Sequence, residues 1–358
     1  YLKKLKMQNK LFEILQATSF EILGLFFIIF ALSFFWEKIF SYFSLKTYQS
    51  KQRLHENEIP RIAGIIIYIF LSTLAFFSIK SNYLNVILIS ALPIVIVGGK
   101  EDIFHNSSPK LRLMMMILSA GAFIYLLPTK LPEIDLPILN QILDFGFMKE
   151  IFFIFSIMVI VNGNNLIDGV NGNLAFSNIF QLISIMLLAL IVDDDKVVQL
   201  SCLLLIPLIV FALFNFPFGK IFCGDTGAYF YGFAVSASII YLFGKNDQLL
   251  SWNAILILLY PSIELLFSFI RKKFFENKSP FNADAKHIHS LIFRYLIKKN
   301  SRFNNNSLVT ILLMPFILSP LLSYQFYEDI FAIITIIFIV FFIYVMIYFI
   351  LLNKLSEK

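Results

Sequence analysis

Four short stretches of this 358-residue chain gather side chains suited to cations or phosphates. In Gly98-Gly99-Lys100-Glu101-Asp102 two adjacent carboxylates repel each other, and a bound divalent cation would relieve that repulsion. Solvated loop charges are the plain alternative. The run from Asn162 to Gly172 holds four Asn, three Gly and Asp168. That is more amide and carboxylate than a helix-to-helix turn needs, and it suits phosphate, sugar or metal contacts. Phe214-Asn215-Phe216-Pro217 is followed by Cys223-Gly224-Asp225-Thr226-Gly227. The glycines flanking Asp225 allow close approach of a ligand, and Thr226 or Asp225 could cap the helix that follows. In Lys286-His287-Ile288-His289 the alternation places the two rings on opposite sides of a strand, or about 200° apart on a helix. That spacing is poor for one zinc ion and better suited to imidazoles holding a pyrophosphate. Glu264 falls inside an apolar run, where an ionisable group is costly and usually paired or functional, whereas Asp193-Asp194-Asp195 reads as a solvated acidic turn.

These clusters need a scaffold, and the composition says which kind. Hydrophobic residues make up 59% of the chain and charged residues 15%, which excludes a disordered chain, a coiled coil and an ordinary cytosolic enzyme. The expected fold class is all-α: a polytopic membrane helical bundle with about 11 transmembrane helices, formed as one integral membrane domain over 1–358. The apolar runs fall at about 20–36, 62–79, 84–98, 113–128, 150–162, 173–192, 197–214, 227–243, 251–270, 308–324 and 329–352. The run at 150–162 is short, and the outer loop 129–149 has room for a small hairpin. The first run lacks a small-residue cleavage site, so no cleaved signal peptide is expected.

Alternating loops put 37–61, 99–112, 163–172, 215–226, 271–307 and the tail 353–358 on one face, with 20 of the 29 Lys and Arg on that side. The richer side should be cytoplasmic. Lys3, Lys4, Lys6 and Lys10 run against this pattern. All four histidines and all four clusters lie on the rich face, which is therefore the expected active-site face. The net charge of +6 reflects this retention of basic residues, so no nucleic-acid partner is expected. Two cysteines are too few for a disulfide framework or a Cys-rich metal site.

The order of the motifs resembles that of the polyprenyl-phosphate N-acetylhexosamine-1-phosphate transferases (glycosyltransferase family 4), over about residues 50 to 300. The branch that initiates O-antigen, enterobacterial common antigen or teichoic acid linkage looks closer than the peptidoglycan branch. Arg53-Leu54-His55 with Ile59-Pro60-Arg61-Ile62-Ala63-Gly64 looks like the family's basic-His and Pro-Arg-x-Gly-Gly motif. Glu101-Asp102 with Ser108-Pro109-Lys110-Leu111-Arg112 looks like its Asp-Asp loop. Asn162 to Gly172 resembles its Asn-x-x-Asn-x-x-Asp-Gly-x-Asp-Gly segment, and Phe214 to Gly227 its Phe-Asn-x-Pro…Gly-Asp-x-Gly segment. Pro261-Ser262-Ile263-Glu264 and His287-Ile288-His289 resemble its Pro-x-x-Asp and His-Ile-His-His pieces. Four positions depart: Glu101 and Glu264 each stand for an Asp, Asn171 for an Asp and Ser290 for a His. The departures leave open an unusual sugar donor or reduced activity.

The resemblance implies transfer of an N-acetylhexosamine-1-phosphate from a UDP-N-acetylhexosamine to undecaprenyl phosphate, with release of UMP. It would be the first step of a lipid-linked surface glycan such as lipopolysaccharide O-antigen or a cell-wall polymer, carried out at the cytoplasmic face of a bacterial inner membrane. It implies Mg²⁺, or Mn²⁺, held by Asp225 and Asp168. Glu101 or Asp102 would deprotonate or position the lipid phosphate. Asn162 and Asn165 would contact the nucleotide or the metal's surroundings. His287, His289, Arg61, Lys110 and Arg112 would hold donor phosphates or other anions. Membrane lipid is the surrounding partner, and so apolar a surface leaves room for a homodimer face. Two rivals stay open: a polytopic transporter or flippase, and a degenerate family member that binds lipid phosphate without turnover.

Overall fold

The computed structural model describes residues 16, 18–43, 59–277, 286–299 and 305–356. Arg53, His55, residues 282–285 and the four leading lysines, all singled out above, lie outside the described residues.

Every expected apolar run folds as helix. In chain order these are α1 (Ser19–Phe43), α2 (Ala63–Thr73, continued by a wide turn at Leu74–Ser78), α3 (Asn82–Phe104) and α4 (Pro109–Leu126). The short α5 (Pro137–Leu143) replaces the expected outer hairpin. Then come α6 (Met148–Ile167), α7 (Asn173–Ile191), α8 (Asp195–Asn215) and α9 (Gly224–Lys245). The chain continues through α10 (Trp252–Ile257), α11 (Leu259–Ile270), α12 (Ile288–Lys298), α13 (Asn305–Leu318), α14 (Leu322–Gln325) and α15 (Ile330–Ser356). No strand occurs among the described residues.

Among the described residues, eight helices are long and apolar enough to cross a bilayer, fewer than the eleven runs suggest. The run at 251–270 breaks between α10 and α11 because Pro261, in the first turn of α11, has no N–H for the carbonyl four residues back and its ring crowds that carbonyl. The apolar parts of α1 and α2 are each short of a full span. The short run at 150–162 grows in the other direction. α6 continues through Asn162, Gly163, Asn164 and Asn165, so the expected 163–172 loop begins as helix.

The core forms around α9, whose residues from Gly224 to Gly244 are all buried. Its Gly, Ala and Ser content lets α3 and α6 approach closely, which matters because lipid supplies no hydrophobic drive for helices to associate. Aromatic rings close one half of the bundle: Tyr83 stacks on Tyr241 at 4.1 Å and Phe123 meets Tyr241 edge-on at 5.3 Å. The far end carries short ionic contacts, including Lys130 to Asp247 and Lys149 to Glu133, each at 2.6 Å. Asp194, expected to be solvated, is instead buried there. It caps α8 by accepting from the N–H groups of Lys196 and Val197, and it pairs with Lys245 at 3.1 Å.

Candidate active site

The opposite end of the bundle collects the C-termini of α3, α6 and α8 and the N-termini of α4, α7 and α9. Arg61 reaches it through backbone pairing. The Phe222 N–H donates to the Pro60 carbonyl at 2.8 Å, and the N–H groups of Ala63 and Gly64 donate to the carbonyls of Phe222 and Cys223. This short ladder fixes Pro60–Arg61–Ile62 beside the start of α9.

Asp225 is the hub. Its Oδ1 accepts from Arg61 at 3.3 Å and Asn165 Nδ2 at 3.2 Å. Its Oδ2 accepts from Arg112 at 3.5 Å and the Tyr229 hydroxyl at 3.2 Å. Arg112 also donates to Tyr229 at 3.4 Å. All four contacts to Asp225 sit at the long edge of hydrogen-bonding range, so they hold the carboxylate loosely. Tyr229 was not singled out in the sequence, although it stands four residues after Asp225 on one helix face.

Asp102 does something other than expected. Its two oxygens accept from the N–H of Asp225 at 2.8 Å, the N–H of Thr226 at 2.9 Å and the Thr226 hydroxyl at 2.7 Å. It therefore caps α9 from another helix, where a carboxylate is favoured by the helix dipole. Neither Asp225 nor Thr226 is the cap. Gly224 makes room: its φ is +74°, and a Cβ there would fall 2.5 Å from both Asp102 oxygens. Three of its acceptor positions are used in this way, so Asp102 positions Asp225. Glu101 accepts from the Ser107 N–H at 2.8 Å and braces the turn that leads into α4.

Asp168 ends α6 and has no hydrogen-bond partner for its carboxylate among the described residues. Burial pushes its pKa well above the usual carboxylate range. Arg61 opposes that shift, and the nearby Asp225 and Asp102 carboxylates add to it. Burial alone would lower the Arg61 pKa, but Asp225, Asp102, Asp168 and Glu101 outweigh it and raise it, so the guanidinium stays charged. The three aspartates thus share one electrostatic site around Arg61.

This donor set fits a hard divalent cation. Asp168 offers an unpaired carboxylate and Asp225 a loosely held one. Among the described residues no three His, Cys, Asp or Glu side chains converge as a ready cage. Mg²⁺ characteristically takes one or two carboxylates and fills its remaining positions with phosphate and water oxygens.

The histidines form a second wall. His287 is extended and precedes α12, while His289 lies in its first turn. The break in conformation brings the rings parallel, 3° apart in plane with centroids at 5.7 Å, instead of the expected divergence. Glu264 Oε1 lies 2.9 Å from His287 Nδ1, and the Tyr344 hydroxyl donates to Glu264 Oε2 at 2.9 Å. The His289 ring rests on Gly169, so close that no Cβ fits between them. Burial holds its pKa down at about 4.

Three expected residues stand apart from the hub. Asn162 Nδ2 donates to the Met158 carbonyl at 2.8 Å and to Met116 Sδ, one helical turn from Asn165 and not onto Asp225. Lys110 is exposed in the first turn of α4 and makes no ion pair with the cluster. Asn171 is 1% exposed, and its Nδ2 donates to the Pro217 carbonyl at 3.0 Å and to Ser307 Oγ. Its N–H donates to Asn306 Oδ1 at 2.6 Å and its carbonyl accepts from Thr310. The charge absent at 171 is therefore not missing from the Asp225 site.

One end of this membrane-spanning helical bundle gathers carboxylates and guanidiniums, and the family model for glycosyl transferase family 4 matches residues 84–243. A probable undecaprenyl-phosphate N-acetylglucosaminyl 1-phosphate transferase of Bacillus subtilis is 28% identical over 257 residues, 69% of this chain and 69% of that protein. An undecaprenyl-phosphate alpha-N-acetylglucosaminyl 1-phosphate transferase of Thermotoga maritima is 26% identical over 75% of this chain and 80% of its own length. A phospho-N-acetylmuramoyl-pentapeptide-transferase of Streptococcus pyogenes is 24% identical over 67% and 76%. Over about two thirds to three quarters of its length the chain is thus similar to transferases that are named for moving an N-acetylhexosamine 1-phosphate unit to a lipid phosphate.

Proposed function

We propose that the protein transfers an N-acetylhexosamine-1-phosphate from a UDP-N-acetylhexosamine to undecaprenyl phosphate on the cytoplasmic side of a bacterial inner membrane. The observation that carries this reading is the convergence of Arg61, Arg112, Asn165 and Tyr229 on Asp225, beside the unpaired Asp168. Cationic and amide donors there suit two phosphate-bearing substrates, and the bundle's lipid-facing sides can hold a polyprenyl tail at headgroup depth.

In the reaction an oxygen of the lipid phosphate bonds to the sugar-bearing phosphorus of the donor. The bond from that phosphorus to the bridging oxygen breaks, and UMP leaves with the electron pair. Three anions must be brought together, so the chief catalytic need is charge neutralisation and alignment. Mg²⁺, or Mn²⁺, held by Asp225 and Asp168 would neutralise the pyrophosphate and the leaving UMP. Arg61 and Arg112, now loosely paired with Asp225, would turn to substrate phosphates. Glu101 lies beside both arginines and remains the carboxylate best placed to steer the incoming lipid phosphate. The stacked His287 and His289 would bound the donor side.

The test is UMP release by purified protein given polyprenyl phosphate and a panel of UDP-sugars, with and without Mg²⁺. Release should need the metal and one UDP-N-acetylhexosamine. Asp225→Asn should lower it by a factor of about 10³ or more. Full activity in that variant would remove Asp225 from the machinery, and no release from any donor would leave the flippase and binding-only readings standing.

A further inference from the structure

This inference rests on the transferase reading and concerns Tyr344, which no motif contains, through its partner Glu264. Glu264 on α11 is 1% exposed, and its oxygens serve two different elements: Oε1 faces His287 before α12, and Oε2 accepts from Tyr344 on α15. Tyr344 is equally buried and is held by edge-on contacts with Phe267 at 5.6 Å and Phe316 at 5.8 Å. From Tyr344 the contacts run through Glu264 to His287, by stacking to His289, and from His289 to Gly169 beside Asp168. The last membrane helix thus reaches the Glu264–His287 pair through the Tyr344 hydroxyl.

The longer side chain at 264 is what allows this bridge. An aspartate, one methylene shorter, could not keep both partners from the same backbone position. Loss of the Tyr344 hydroxyl would leave a buried carboxylate oxygen unpaired and free the carboxylate to rotate away from His287. We propose that Tyr344 is a positioning residue for the nucleotide-sugar donor, holding Glu264, and through it the histidine pair, against the donor's phosphates. Its effect should fall on the donor and spare the lipid phosphate, which meets the arginine side of the site.

The experiment uses the full chain in detergent with Mg²⁺. UDP-N-acetylglucosamine affinity is read by titration calorimetry, and UMP release gives KM for each substrate. Tyr344→Phe should weaken donor affinity and raise donor KM about tenfold, with kcat and the KM for polyprenyl phosphate almost unmoved. Glu264→Asp should do the same, and adding Tyr344→Phe to it should change nothing more, because the two act through one contact. Unchanged donor affinity in Tyr344→Phe overturns the inference. So do losses that add in the double variant, or a lower Tm with intact donor affinity. A wild-type protein that binds the donor but releases no UMP overturns the transferase reading alone, and the affinities still decide the role of Tyr344. A wild-type protein that does not bind the donor overturns both.

Discussion

Asn171 shows how a side chain inside a phosphate-binding motif can belong to the scaffold. Its amide donates to the Pro217 carbonyl, which a carboxylate cannot do. Asn171→Asp, which would restore the residue expected from the resemblance, should therefore cost about 1–3 kcal/mol or more, because an unpaired buried oxygen would face that carbonyl. Asn171→Ala should be milder, since Ser307 still donates to Pro217. Thermal unfolding of the two purified variants checks the order. His289 gives a pH test. Its folded pKa of about 4 lies below the ordinary 6.5, with burial as the main cause. Between those values the unfolded chain holds the extra proton, so stability should fall as pH drops from about 6.5 to about 4, by about 3 kcal/mol in full. In His289→Gln that part of the slope should vanish from Tm measured across the window. The hub around Asp225 was legible in the sequence because its residues recur in ordered polar runs within apolar surroundings. That Asn162 turns away from Asp225 was not legible, because the amides of a helix point in several directions, and Tyr344 left no signal because one tyrosine among fifteen in an apolar chain looks like bulk.

Among the elements, α9 depends on a cap borrowed from α3. Asp102→Asn would set an amide N–H₂ against backbone N–H donors at the start of α9. That should destabilise the protein by about 1–2 kcal/mol and displace Asp225, lowering kcat beyond what the loss of stability explains. Activity per folded molecule, corrected by unfolding curves, checks this. The sequence gives no hint of such a cap, since Asp102 and Asp225 are more than a hundred residues apart and each looks like a local loop acid. Helix existence was readable from apolar runs. Helix ends were not, because α6 stays helical through its asparagines by turning Asn164 inward to Asn178 and the Ala228 carbonyl. Polar composition suggested a loop where interhelical hydrogen bonds sustain the helix.

For the whole molecule, sidedness is the claim most open to direct test. Cys202 and Cys223 are buried and should not react with a membrane-impermeant maleimide. In intact cells Asp247→Cys should label from outside, whereas Lys100→Cys should label only after permeabilisation. The reverse pattern would turn the proposed topology over. The bias of Lys and Arg is the ground for this orientation. The number of full spans was less readable, because hydropathy does not register how Pro261 divides a run.

The seams that join α13 and α15 to the rest bear on how small such an enzyme can be. Asn306, Ser307 and Thr310 close the polar groups of Asn171 and Pro217, and Tyr344 closes Glu264. A version trimmed back to the stretch that the family model matches, residues 84–243, would strip partners from buried polar atoms beneath the floor of the candidate site. The smallest unit able to keep that floor intact therefore runs on to the final helix, and engineered shortening should start from the loops instead.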